Sequence, residues 1–325
     1  MMMAARLVQQ HSGVQVARHL SGHGAGFSSI SSLDLPMGGP TPMIGQVAWV
    51  VGGAGAIGRG LCRGLLKAGA TVVVNSSSKT HLEQLSRDLG NPHSLIAIHG
   101  SMRPESAEAT VEKALEATNS QLHHVMAHSG VRWWVPQKQA TPDCEDAALQ
   151  GPRDCEEAAL SGGKGLSQDP IRFSERASML PALHYAAAKL LLPHLQKTPG
   201  SSYTFVTGGA GEQNSIEAQV NAFGVWGLAA ALREQYAGSS VRVAEVRVAL
   251  KIDRPARERA LDPRARPLTA DLGELCAGLA ASSSQDSVGL HTIDSMEHVL
   301  RLWAKFPCPP AVAVSQPLWH WQQAQ

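Results

Sequence analysis

The segment that most constrains this chain is VVGGAGAIGRG, Val50–Gly60, where an apolar run starting near Gln46 passes through several glycines straight into an amphipathic stretch. A short continuous apolar run flanked by glycine reads as a strand buried on both faces, and the amphipathic stretch after it reads as a helix. The spacing satisfies GxGxxG through Gly53, Gly55 and Gly58, and GxxGxxG through Gly52, Gly55 and Gly58. In either frame one glycine permits the tight turn, one lets a pyrophosphate approach the backbone, and Gly58 lets helix and strand pack closely. Residues Gly52, Gly53, Gly55, Ala56, Ile57 and Gly58 are therefore the expected phosphate cradle, with their N–H groups and the positive helix end facing the anion. A strand before, a helix after and a second strand about twenty residues on separate this motif from a glycine-rich turn that binds nothing.

An NAD site usually carries an acid at the end of that second strand to hold the ribose hydroxyls. This chain has Asn75, Ser76, Ser77 and Ser78, then Lys79. Hydroxyls beside a cation suit a 2′-phosphate better than a bare ribose, so Ser76, Ser77 and Lys79 are expected contacts and NADP(H) is favoured over NAD(H). The competing reading is a polar turn that caps the next helix.

Composition narrows the class. The chain has 325 residues, 43 % apolar and 17 % charged, with a formal charge of +1. That balance argues against a nucleic-acid binder, which needs a basic excess to neutralise phosphates. No apolar stretch reaches the roughly 18 residues of a spanning helix, so an integral membrane protein is not expected. Cys62, Cys144, Cys155, Cys276 and Cys308 are scattered, odd in number and without a CxxC pair, which fits a reducing compartment and gives no metal site. His123 and His124 fall on a predicted strand and point to opposite faces. Residues 1–43 read as a leader: Arg6 and Arg18 precede the first carboxylate, Asp34, and serine and glycine crowd Ser21–Ser32. An acid-poor, Ser-rich, Arg-bearing end of this kind resembles an organelle transit peptide, and the Arg6–Leu20 helix favours a mitochondrion, with a plastid as the alternative.

From Gln46 onward, short apolar runs alternate with amphipathic stretches, the pattern of βαβ units. Strands are expected at 46–51, 71–75, 94–99, 122–128, 203–207, 241–248 and 288–293. Helices are expected at 56–68, 79–89, 104–118, 175–196, 217–237 and 271–281. Right-handed crossovers then give one doubly wound, seven-stranded, mainly parallel sheet spanning 44–295. An insertion at 131–172 interrupts it, and DCEDAALQG at Asp143–Gly151 recurs there as DCEEAALSG at Asp154–Gly162, a duplicated acidic surface segment. Residues 296–325 form a further helix, MEHVLRLWAKF, and a Pro-rich tail containing Trp319 and Trp321, aromatics of the kind that anchor interfaces.

The order of these segments resembles the short-chain dehydrogenase/reductase family over about Ile44–Ser295, which implies a single Rossmann-like α/β domain. VVGGAGAIG resembles its glycine motif. AHSG at Ala127–Gly130 sits where the family has NNAG, so Ser129 and Gly130 join the expected cofactor contacts. KLLLPHLQKTPGSSYTFVTGG is similar to the helix and strand leading to the family's catalytic serine, and AFGVWGLAAALREQY is similar to its next long helix.

The resemblance also implies a catalytic set that this chain lacks. In the family a tyrosine exchanges a proton, a lysine four residues on lowers its pKa, a serine fixes the substrate oxygen and an asparagine supports a relay, because a phenol near pKa 10 needs a cation to work near neutrality. Carried over by position, the serine falls at Gly208 or Thr207, the tyrosine near Ala218, the lysine near Ala222 and the asparagine near Leu180. The string Tyr185–Lys189 fits YxxxK but precedes the TFVTGG strand instead of following it, so topology argues against it. Thr207, Tyr185 and Lys189 stay weak catalytic candidates. Three functions follow: a nucleotide-binding structural or assembly subunit of an organellar complex without standard hydride transfer; an active NADP(H)-dependent oxidoreductase with relocated groups such as Thr207, His128 or Tyr185; and a nucleotide sensor. Self-association or a protein partner is expected through helices 175–196 and 217–237.

Overall fold

The computed structural model describes residues 42–128, 169–208, 216–249, 252 and 269–309. The expected leader up to residue 41, the acidic repeat and the tail with Trp319 and Trp321 lie outside the described residues.

Seven strands form one sheet: β1 (Val47–Val51), β2 (Thr71–Ser76), β3 (Leu95–His99), β4 (His124–Ala127), β5 (Ser202–Gly208), β6 (Arg242–Val248) and β7 (Gly289–Ile293). Their order is β3-β2-β1-β4-β5-β6-β7, and all six pairings are parallel. The helices are α1 (Ala56–Lys67), α2 (Lys79–Asp88), α3 (Ala107–Ala117), α4 (Pro170–Leu195), α5 (Ile216–Gln235), α6 (Thr269–Ala281) and α7 (Met296–Lys305).

Because side chains alternate along a strand, the sheet has two buried faces. Ala48, Val50, Val72, Val74, Met126, Val206 and Val246 pack against α1, α2, α6 and α7. Trp49, Val51, Val73, Val125, Tyr203, Phe205 and Val243 pack against α3, α4 and α5. Helices on both faces explain why the central strands are apolar throughout rather than alternating.

Two element boundaries differ from the sequence reading for local reasons. Helix α3 starts at Ala107 rather than 104, because Ser106 N–H closes a turn onto the Arg103 carbonyl at 2.9 Å. Helix α4 starts at Pro170, inside the segment assigned to the insertion: Asp169 Oδ1 accepts from Ile171 N–H at 2.9 Å, and proline takes the first helical position, where no N–H is needed.

Helices α1 and α6 touch through backbone. A Cβ on Gly60 would land on the Thr269 carbonyl, one on Gly64 on Gly273, and one on Gly273 on the Gly60 carbonyl. Helices α4 and α5 are joined differently. The Asn221 side chain accepts from Leu180 N–H at 3.0 Å and donates to the Arg176 carbonyl at 2.8 Å, so an amide from α5 sits in the ladder of α4. One residue on, Pro181 faces Gly224, where any Cβ would come within 2.6 Å of the proline ring.

At the amino ends of the strands, buried His124 bonds Ser202 Oγ at 2.9 Å and Gln46 Oε1 at 2.7 Å, and His123 Nδ1 accepts from Val47 N–H at 3.0 Å. Both histidines are thus held by polar partners within the fold. Among the described residues no group of His, Cys, Asp or Glu is arranged to hold a metal ion, and no helix is long and apolar enough to cross a membrane.

Candidate dinucleotide-binding site

The loop after β1 is shaped by contacts that only glycine allows. Gly52 adopts φ +68°, a conformation costly for residues with a Cβ. Gly53 fills a niche where a Cβ would lie 2.6 Å from Val50 and 2.9 Å from Val74, and Gly58 rests on the backbone of Gly53. Gly55 faces open space, with nothing within 4 Å of where its Cβ would stand. It also caps α1 without a side-chain bond, and the first turn of α1, with Ala56 and Ile57, carries no acid. The helix therefore presents uncapped N–H groups and an uncompensated positive dipole at an open mouth, which is what a phosphate requires.

Asn75, fully inside the fold, braces this loop. Its Oδ1 accepts from Gly52 N–H at 3.1 Å and from Trp49 Nε1 at 3.0 Å, and its Nδ2 donates to the Gly100 carbonyl at 3.3 Å. One amide thus ties together the ends of β1, β2 and β3. Ser76 Oγ accepts from Ser78 N–H at 3.2 Å, and Ser78 Oγ caps α2 by accepting from His81 N–H at 3.2 Å. Ser77 and Lys79 are exposed at the same corner, and the His99 ring meets the Ser77 carbonyl at 3.0 Å. Capping chemistry and exposed polar groups are therefore combined in this one turn.

The other end of the groove is different. Thr207, at the end of β5, donates its hydroxyl to Glu245 Oε1 at 3.0 Å, and both groups are buried. Glu245 also receives Arg233 from α5 at 2.5 Å and Arg247 at 2.8 Å. Ala218 lies buried and Ala222 half-buried on α5, so methyl groups stand at the positions that the resemblance gives to tyrosine and lysine. Tyr185 is 57 % exposed and Lys189 is exposed, both on α4. His128 follows β4, its Nδ1 meeting the Val206 carbonyl at 3.3 Å; burial lowers its pKa and so favours the neutral ring with the proton on Nδ1. Ser129 and Gly130 lie outside the described residues. Sequence reasoning missed Asn75 as a brace, Asn221 as an insert and the Glu245 cluster, all set by contacts between distant segments.

A parallel doubly wound sheet with an open glycine loop between its first strand and first helix defines an oxidoreductase-like, NAD(P)-binding type of fold. Residues 46–150 match the family model described as short chain dehydrogenase. A 3-ketoacyl-(acyl-carrier-protein) reductase from Brucella melitensis, solved with NADH, is 18 % identical with a TM-score of 0.55, over 77 % of this chain and 97 % of its own. A metagenomic short-chain oxidoreductase solved with NADP is also 18 % identical, TM-score 0.56, over 78 % and 98 %. A 3-hydroxyacyl-CoA dehydrogenase type-2 from Mycobacterium avium is 18 % identical, TM-score 0.55, over 77 % and 94 %. No curated protein sequence matches. Residues 46–150 are thus similar in sequence to short-chain dehydrogenases, and the described fold is the one that these solved oxidoreductases share.

Proposed function

We propose that this protein binds NADP(H) or NAD(H) through Gly52–Gly58 and serves as a structural or assembly subunit of a mitochondrial complex, without standard hydride transfer. The observation that carries this reading is the contrast between the two ends of the groove. At the phosphate end, the glycines fit backbone to backbone and the helix terminus is open. At the chemical end, Ala218 and Ala222 offer no proton, and the Thr207 hydroxyl is already donated to a buried carboxylate. A neutral methyl cannot lower the pKa of anything, so acid–base work would need groups from elsewhere. Support for a partner comes from α4 and α5, where Tyr185, Val220 and Phe223 expose apolar surface.

Native mass spectrometry of the protein purified from its own cells tests this reading: a bound nucleotide and companion subunits are expected. Oxidation of NADPH against a panel of carbonyl compounds should give no turnover. Robust turnover abolished by Tyr185→Phe would overturn the proposal in favour of an active reductase. Residues 1–43 fused to a fluorescent protein should report a mitochondrion.

A further inference from the structure

We infer a second binding site, for an oxyanion, at the carboxyl ends of β5 and β6, built by Arg247, Trp226 and Arg233. Glu245 is fully buried and accepts Thr207 Oγ1, Arg247 Nε and Arg247 Nη2 on one oxygen, and Arg233 Nη1 on the other. Its Oε1 thus takes three donors and its Oε2 one. Among the described residues two guanidiniums share this one carboxylate, one positive charge more than it neutralises, and both arginine side chains are largely buried, at 17 % and 21 % exposure.

A second group nearby is also unsatisfied. The Arg247 guanidinium stacks over the Trp226 ring at 4.0 Å, and the Trp226 Nε1 atom is buried without an acceptor. Among the described residues no acceptor is bonded to this indole N–H, and the two guanidiniums beside it add donors only. Buried donors left unpaired are costly, and a guanidinium edge beside a neutral N–H matches a carboxylate or phosphate.

Position agrees with chemistry. Arg247 pairs in register with Thr207, one residue from the ends of both strands, and ligands of open α/β sheets sit beyond those ends. The strand order places β6 three steps from β1, roughly 14 Å from the glycine loop at about 4.8 Å per step. The site is therefore separate from the phosphate cradle, and it takes the anionic head of a small molecule whether or not a nucleotide is bound.

The test uses the full chain carrying Gly55→Trp, which fills the open mouth of the glycine loop so that α1 does not report. Calorimetric titration with inorganic phosphate, and separately with succinate, should show saturable binding of at least one; tighter phosphate points to a phosphorylated ligand, tighter succinate to a carboxylic acid. Trp226→Phe keeps the ring under Arg247 and deletes only the N–H, and it should weaken binding at least fivefold. Arg247→Met leaves a one-to-one Glu245–Arg233 pair and should abolish binding. Absence of saturation with both anions, or Trp226→Phe binding as tightly as its parent, overturns the inference. A purely structural cluster gives the latter result with a higher Tm, because an unpaired buried donor has been removed. Should Arg247→Met fail to fold, Trp226→Phe decides alone. Loss of nucleotide binding in the chain without Gly55→Trp sinks the proposed function but leaves this site standing.

Discussion

The side-chain oxygen of Asn221 lies 3.0 Å from the backbone N–H of Leu180, so one helix completes the hydrogen bonding of another. Leu180 is the position to which the family resemblance carries an asparagine, and an amide does stand there, delivered across the α4–α5 contact instead of from α4 itself. A side chain inserted in a helical ladder is a recognised cause of bending, and the adjoining proline, Pro181, removes the next donor. Asn221→Ala should destabilise the fold by about 2 kcal/mol, the cost of losing two buried bonds to backbone. Urea denaturation measures it, and faster hydrogen exchange at Leu180 locates it.

Asn75→Asp separates a nucleotide contact from a brace. An aspartate there would keep the acceptor for Trp49 and Gly52 but lose the donor to Gly100 and bury a charge. The expected loss is about 3 kcal/mol, with no gain of NAD affinity, because the side chain faces inward. Thermal unfolding and NAD titration check both parts.

Acid sensitivity should come from the base of the sheet. Burial, then Arg242 and His123, push the pKa of His124 down to about 3 from its ordinary 6.5. Between those values the unfolded chain binds a proton that the folded chain excludes, so this histidine's contribution falls as pH drops from about 6.5 towards 3 and is constant above about pH 7. His124→Gln, which can still meet Ser202 and Gln46, should flatten the stability profile over that window. An unchanged acid limb would mean that another group sets it.

Arg242 closes the carboxyl end of α6. Its guanidinium donates to the carbonyls of Leu279, Ala280 and Gly200 at 3.3, 2.8 and 2.9 Å and to Ser287 Oγ at 2.9 Å. Arg242→Met keeps the stem but strands these acceptors, and it should cost about 3 kcal/mol by chemical denaturation. Arg242→Lys should recover less than half, since one ammonium cannot reach carbonyls on two sides.

The strands, helices and glycine loop were legible in the sequence because their signals are local: apolar runs of strand length, helical periodicity, and glycines where the chain turns. The site's supporting contacts were not. Asn75 reads as one more polar residue before three serines, yet its partners are 23 to 26 residues away. Glu245 and Arg247 alternate with valines in VRVAEVRV and look like the wet face of a half-buried strand. Helix α5 covers that face, so the polar residues had to find partners inside the fold, and nothing within the strand says which.

The glycine seam between α1 and α6 has one further consequence. Side-chain contacts give a little, because rotamers shift and cavities close, but backbone resting on backbone has no such slack. Gly60, Gly64 and Gly273 therefore weld the two helices into a single strut. One end of that strut is the open terminus at Gly55, and the other helix begins at Thr269. The helix whose tip forms the glycine loop is therefore fixed against a helix whose contact residues lie more than two hundred positions later in the chain.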